Sequence, residues 1–238
     1  MKITIDRSPE PRTLNPVPSH TIKDQPFFCS WSGGKDSCLA LHHAIRNGGV
    51  PKRLFTMLAE DGVHSRSHNL SKALLEEQAR RMGIPITFAS ATWNDYEAVF
   101  LAAIRRFRAD GLAVGVFGDI DVDSNLEWVR RVCAAAHITP CHPLWKKPRA
   151  ELLAEFIALG FKATVVVTND SLLPPSFLGK VMTPETVAEM EQAGIDASGE
   201  LGEYHTVVTG GPLFSSPINL RTGKRLSHEG YSFLEILD

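Results

Sequence analysis

Four times between residues 26 and 137 a short apolar run gives way to a stretch of helical periodicity, and this alternation constrains the fold more than any other feature of the chain. The runs PFFCSW, RLFTMLA, PITFASA and AVGVFG are apolar at successive rather than alternate positions, as strands are when both faces of a sheet are covered. Each precedes a helical pattern. KDSCLALHHAIRNGG sets Leu39, Leu41 and Ile45 near one face and stops at Gly48 and Gly49, and residues 70–82 are amphipathic and closed by Gly83. DYEAVFLAAIRRFRAD and SNLEWVRRVCAAAH supply the other two, with Ser124 the expected cap of the last. Short links between strand and helix imply a parallel sheet wrapped by helices on both faces.

Near CHPLWKKP the rhythm breaks. Pro148 is placed to open a helix through RAELLAEFIALG, KATVVVT reads as a buried strand, TPETVAEMEQAG as a capped helix, and GEYHTVVTGGPLF as a strand punctuated by glycine. Ahead of the first strand, residues 1–25 hold Pro9, Pro11, Pro16 and Pro18, and the expectation there is an extended arm.

The loop between the first strand and the first helix carries the chemistry. Ser32-Gly33-Gly34-Lys35-Asp36-Ser37 combines two glycines, through which a backbone can approach an anion closely, with two hydroxyls and a lysine. The helix that follows directs its free N–H groups and the positive end of its dipole at the same point. The carboxyl end of a strand in an open parallel sheet is where ligands bind. The Walker pattern, Gly-x-x-x-x-Gly-Lys-Ser/Thr, is absent here, since the glycines are adjacent and the lysine follows directly.

The loop resembles the PP-loop of the N-type ATP pyrophosphatases, which include the asparagine, GMP, NAD and argininosuccinate synthetases and the tRNA lysidine and thiolation enzymes. Further along come Gly118-Asp119-Ile120, Pro143-Leu144-Trp145, Phe177-Leu178-Gly179-Lys180 and Gly199-Glu200-Leu201-Gly202-Glu203-Tyr204-His205-Thr206, in that order. Together with the loop they look like the diphthine–ammonia ligase family over roughly residues 26–220. The chain departs from that family's usual pattern at Leu201, where asparagine is usual, and in its proline-rich arm.

The resemblance implies an α/β fold of the adenine nucleotide α-hydrolase-like, PP-loop type. The expected domains are the arm (1–25), an ATP-binding domain (26–140) and a smaller C-terminal α/β domain for substrate (141–238). It implies ATP held by Ser32, Gly33, Gly34, Lys35, Asp36, Ser37, His68, Gly118 and Asp119, with magnesium accompanying ATP at Asp36. Glu200, Gly202, Glu203, Tyr204, His205 and Thr206 become the expected substrate-binding residues. Lys35, Asp36, Glu200, Glu203 and His205 become the expected catalytic ones, because carboxylates beside an imidazole can orient an amine or accept a proton.

The activity implied is an ATP-dependent amide-forming ligase: a carboxylate attacks the α-phosphate, pyrophosphate leaves, and ammonia displaces AMP. Expected partners are ATP, ammonium and an unidentified carboxylate acceptor, with a modified protein side chain among the candidates; a homodimer stays open. Two alternatives are a tRNA-thiolating PP-loop enzyme and a non-catalytic ATP-binding sensor. Against the first, Lys and Arg total 25 and Asp and Glu 27, a net charge of −2, so no basic field draws the chain to nucleic acid. Its four cysteines form no Cys-x-x-Cys pair and read as reduced core thiols. No apolar run reaches the roughly 20 residues a membrane span needs, and MKITIDRSPEPR lacks the apolar core of a secretory signal; the expected location is cytoplasmic.

Overall fold

The computed structural model describes residues 22–66 and 68–237. Five parallel strands, β1 (Pro26–Ser30), β2 (Val50–Leu58), β3 (Ile86–Ser90), β4 (Val114–Val116) and β5 (Thr139–Cys141), form one sheet in the order β3-β2-β1-β4-β5. The crossovers are α1 (Lys35–Arg46), α2 (Lys72–Met82), α3 (Tyr96–Ala109) and α4 (Asp123–Ala135). The most apolar run takes the centre: Phe27, Phe28 and Cys29 of β1 are fully buried, and Cys29 pairs with Leu54 on one side and Val116 on the other. Strand order reverses at β1, which opens a crevice at the carboxyl ends of β1 and β4.

Two apolar clusters cover the faces of this sheet. One, built on Phe28, Phe55, Phe100, Ile104 and Phe107, lies under α3 and α4. The other contains Leu39, Leu41 and Leu75 from α1 and α2 and runs without a break into a second, antiparallel sheet through Val165, Val167 and Val208. That sheet comprises β6 (Lys162–Asn169), β7 (Tyr204–Gly210), β8 (Arg221–His228) and β9 (Tyr231–Leu237), ordered β7-β6-β9-β8. The helices α5 (Arg149–Ala158) and α6 (Pro184–Gln192) accompany it. One core therefore joins both halves of the chain.

Several helix ends follow local chemistry. Ser71 accepts the Leu74 N–H at the start of α2, and Gly83 closes that helix in the left-handed conformation. Thr183 accepts the Thr186 N–H ahead of Pro184 at the start of α6. Ser124 does not cap α4, contrary to expectation: it lies inside the helix, which starts from Val122 without a side-chain cap. The β8–β9 hairpin was also unforeseen, because β8 is exposed along its whole length and RTGKRLSH carries no apolar pattern.

Residues 1–21 of the expected arm lie outside the described residues. Ile22, just after them, is 1% exposed and joins the core, while the Asp24 N–H bonds the Gly48 carbonyl. All four cysteines are buried and free. No helix among the described residues is long and apolar enough to cross a membrane.

Candidate functional site

The link from β1 to α1 is held in shape by its own polar groups. The Ser32 and Ser37 hydroxyls are 3.1 Å apart, the Ser37 hydroxyl donates to the Gly34 carbonyl at 3.1 Å, and the Gly34 N–H reaches Ser32 Oγ at 3.3 Å. Gly33 has φ +83°, a conformation that side chains disfavour. Gly118, two residues past β4, must stay bare for another reason: a Cβ there would lie 2.9 Å from the backbone of Asp36 and Ser37, so the segment leaving β4 meets the first turn of α1 backbone to backbone. The Lys35 side chain is buried; its ammonium bonds Asp36 at 2.8 and 3.1 Å and lies 5.4 Å from the centre of the Tyr204 ring. Burial disfavours that charge, but Asp36, Tyr204 and Glu200 outweigh it, and the amine is held above its ordinary range.

The opposite wall comes from the second sheet. Thr206 Oγ1 accepts the Lys35 N–H at 3.1 Å, and the Val208 N–H bonds the Gly33 carbonyl at 2.9 Å, so β7 lies directly against the loop. Glu203 is 4% exposed and accepts the Leu201 N–H at 2.9 Å, an arrangement that shapes the turn carrying Glu200 and Gly202. Tyr204 is fixed by a 2.5 Å bond from its hydroxyl to the Ala197 carbonyl. Glu200 is half-buried; burial first and the Asp36 charge second push its carboxyl up to about 7, against the pull of Lys35 and Arg149.

The rings of His68 and His205 are tilted at 44° to each other with centres 4.5 Å apart, and His68 Nε2 would be 2.7 Å from a Cβ on Gly34. Burial, aided by Lys35, lowers His205 to about 4; burial, His205 and Lys35 hold His68 well below the usual imidazole range. Both rings are therefore neutral at pH 7. The buried His68 Nδ1 has no hydrogen-bond partner among the described residues.

These groups surround a cavity of about 380 Å³ that includes Lys35, Asp36, His68, Asp119, Glu200 and His205 in its lining. A second recess of about 410 Å³ shares Asp36, Gly118 and Asp119 with it and is walled by Trp93, Tyr96 and Trp128. Asp119 lies 3.5 Å from His142 Nε2. No group of three or more His, Cys, Asp or Glu side chains among the described residues could hold a metal ion.

Sequence reasoning passed over several residues here. Trp93 is 72% exposed at the rim of the aromatic recess, where the Arg66 guanidinium lies 4.5 Å from its ring centre. Arg149 grips Asp121 with two 2.7 Å bonds and also pairs with Asp196, which ties the start of α5 to the segment after β4 and to the one before Gly199. Gln78 is fully buried beneath the loop. Its signal was present in the sequence, as an amide in register with Leu74, Leu75 and Ala79 on the buried face of α2. Nothing comparable marked Arg149, whose partners are 28 and 47 residues away.

Comparison with known proteins covers nearly all of this architecture. The model of the diphthamide synthase N-terminal domain matches residues 27–140, and that of the diphthamide synthase C-terminal domain matches residues 148–237. Proteins named diphthine–ammonia ligase are similar: the one from Danio rerio is 26% identical, over 86% of this chain and 90% of that protein. The Mus musculus protein is 30% identical and the Homo sapiens protein 28%, each over 86% of both chains. A solved structure described as a predicted subunit of tRNA methyltransferase from Methanocaldococcus jannaschii has a TM-score of 0.46 and 15% identity, over 79% of this chain and 98% of that one, a likeness too distant to carry weight.

Proposed function

The chain belongs to the diphthamide synthase family, and from that premise we propose that it is an ATP-dependent amide-forming ligase that adenylates a carboxylate and transfers ammonia to it. The observation that carries this reading is the meeting of two walls around one cavity: a loop suited to phosphate, and a carboxyl group, Glu200, whose proton affinity lies near neutrality.

The phosphates of ATP lie against Gly33, Gly34 and the start of α1, where backbone N–H groups and the Lys35 cation neutralise them. The aromatic recess, which adjoins the loop through Ser32, Asp36 and Ser37, takes the nucleoside. An acceptor carboxylate oxygen forms a bond to the α-phosphorus as the bond to the bridging oxygen breaks, and pyrophosphate departs. Ammonia then attacks the acyl carbon and AMP leaves with the bonding electrons. Ammonium must first give up a proton, and Glu200 is the group in the cavity suited to receive it. His205 and His68, neutral at pH 7, add no charge to repel an ammonium. Magnesium fits as an ion carried in by the ATP phosphates, with Asp36 the nearest carboxylate of the loop.

The acceptor would be diphthine or a carboxylate like it, a modified side chain on a protein. The thiolating alternative gains no support, since burial pushes the thiols of Cys133 and Cys141 up to about 12 and about 11 and holds those of Cys29 and Cys38 well above the ordinary thiol range. The test is product analysis with ATP, ammonium and a diphthine-bearing acceptor. AMP and pyrophosphate are expected in equal amounts, one per amide formed; ADP and phosphate as the main products would overturn the mechanism.

A further inference from the structure

Gln78 never reaches the cavity, yet its side chain ties together three parts of the chain behind it. Its Nε2 donates to the carbonyl of Gly33 at 3.0 Å and to that of Val208 at 2.7 Å, and its Oε1 accepts the indole N–H of Trp31 at 2.9 Å. The residue is 0% exposed. The end of β1, the loop and β7 are therefore fastened through one amide. We propose that Gln78 is a positioning residue for the phosphates of ATP: it fixes the Gly33–Gly34 peptide so that the Gly34 N–H faces the anion. The inference rests on the reading of the loop as the ATP site.

A trans peptide is planar, and its C=O and N–H point in opposite directions. The Gly33 carbonyl is bound from behind by Gln78 Nε2 at 3.0 Å and by the Val208 N–H at 2.9 Å. The Gly34 N–H is thereby aimed the other way, where it makes only a long, 3.3 Å contact with Ser32 Oγ. The peptide between two glycines can flip at little cost, because neither residue has a side chain to oppose it. A flipped peptide would present a carbonyl oxygen to the phosphates and repel them. Two donors converging on one carbonyl, one from α2 and one from β7, prevent the flip before ligand arrives. Such preorganisation strengthens binding without any contact to the ligand.

The test compares ATP with adenosine on the full chain, by calorimetry. Gln78→Met keeps the length of the side chain and removes both donors. Trp31→Phe removes a bond to the same amide but leaves both donors in place. If the inference holds, Gln78→Met weakens ATP on the order of tenfold or more and leaves adenosine affinity as in the wild type. Trp31→Phe then binds both as the wild type does, even if its melting temperature falls. Equal loss of ATP and adenosine in Gln78→Met would mean that the residue only supports the fold, and the inference would be wrong; wild-type ATP affinity in Gln78→Met would also overturn it. Should Gln78→Met not accumulate as folded protein, Gln78→Leu is read by the same criteria, since it too lacks the amide donors and brings no charge into the core. A wild-type protein that binds neither ATP nor pyrophosphate would instead overturn the reading of the loop, and this inference with it.

Discussion

Ser32–Ser37 and Glu200–Thr206 face each other across one cavity, yet the first has bonds of its own within six consecutive residues, while the second rests on pairings far apart in sequence. The loop makes its own bonds, between Ser32, Gly34 and Ser37. The opposite wall depends on β7 pairing with β6 and on a bond from the Lys35 N–H to Thr206, 171 positions away. The difference separates two tasks. Holding phosphate asks for backbone donors and one cation, which a short turn before a helix can supply alone. Tuning a carboxyl toward neutrality asks for burial and a neighbouring like charge, which Glu200 acquires only when the second sheet lies against the first.

The largest expected effect falls on the loop. Lys35→Ala should weaken ATP by about 1.5–3 kcal/mol, the worth of a charge-assisted contact. Glu200→Gln, on the other wall, should change ATP affinity by less than Lys35→Ala does, since Glu200 acts on the loop only through its field at Asp36 and Lys35. Calorimetry on both variants checks the division. Equal losses would mean that the two walls act as one site, and wild-type affinity in Lys35→Ala would remove the phosphate role from the loop.

The second effect is one of pH. The Glu200 carboxyl titrates near 7 in the fold and near 4.5 when free. Between those values the folded chain keeps a proton that the unfolded chain has released, so stability falls as pH rises through this window and the penalty is complete above it. Glu200→Gln should therefore be more stable than the wild type at pH 8, by about 1–2 kcal/mol after allowance for solvent screening, and equal to it below about pH 4.5. Its ammonium-dependent turnover should drop and lose any dependence on an ionisation near 7. His205 works in the opposite direction. It titrates near 4 in the fold against 6.5 when free, so its contribution is intact above 6.5 and is lost as pH falls toward 4. Urea titrations at pH 5, 6.5 and 8 read both signs; a Glu200→Gln variant that gains nothing at pH 8 would show that this carboxyl is not held neutral.

The smallest effect tests the join between the walls. Thr206→Val keeps the shape of the side chain and deprives the first N–H of α1 of its acceptor. It should lower stability by about 1 kcal/mol, the usual worth of such a cap. ATP should narrow the gap, because a phosphate oxygen can take the same N–H. Thermal melts with and without ATP decide it. A gap that stays constant would mean that the nucleotide never contacts this amide.

Much of the parallel sheet was legible from residue patterns. The apolar runs now in β1 to β4 and the periodic stretches between them announced themselves, because strands covered on both faces have little choice of side chain. β5 was passed over: it is three residues, Thr139–Cys141, with a proline in the middle. β8 was passed over because every one of its residues meets solvent, which leaves composition free. In the site, the Ser-Gly-Gly-Lys-Asp-Ser stretch was readable by eye, whereas a place for His68 near the nucleotide was expected only through family resemblance, and nothing announced its approach to Gly34.

The sequence by itself determined a central apolar strand, a glycine turn and a helix start in immediate succession, and with them a place where an anion can rest. Those features are local: each depends on dihedral preferences and on donors within a few residues of one another. Only the tertiary structure decided that Glu200 would stand beside Asp36 with its carboxyl raised, that His68 and His205 would meet as neutral rings beside Lys35, and that Gln78 would hold the Gly33 carbonyl from behind. Burial and the field of a distant charge are properties of the assembled core, and no residue carries them until the two sheets are packed together.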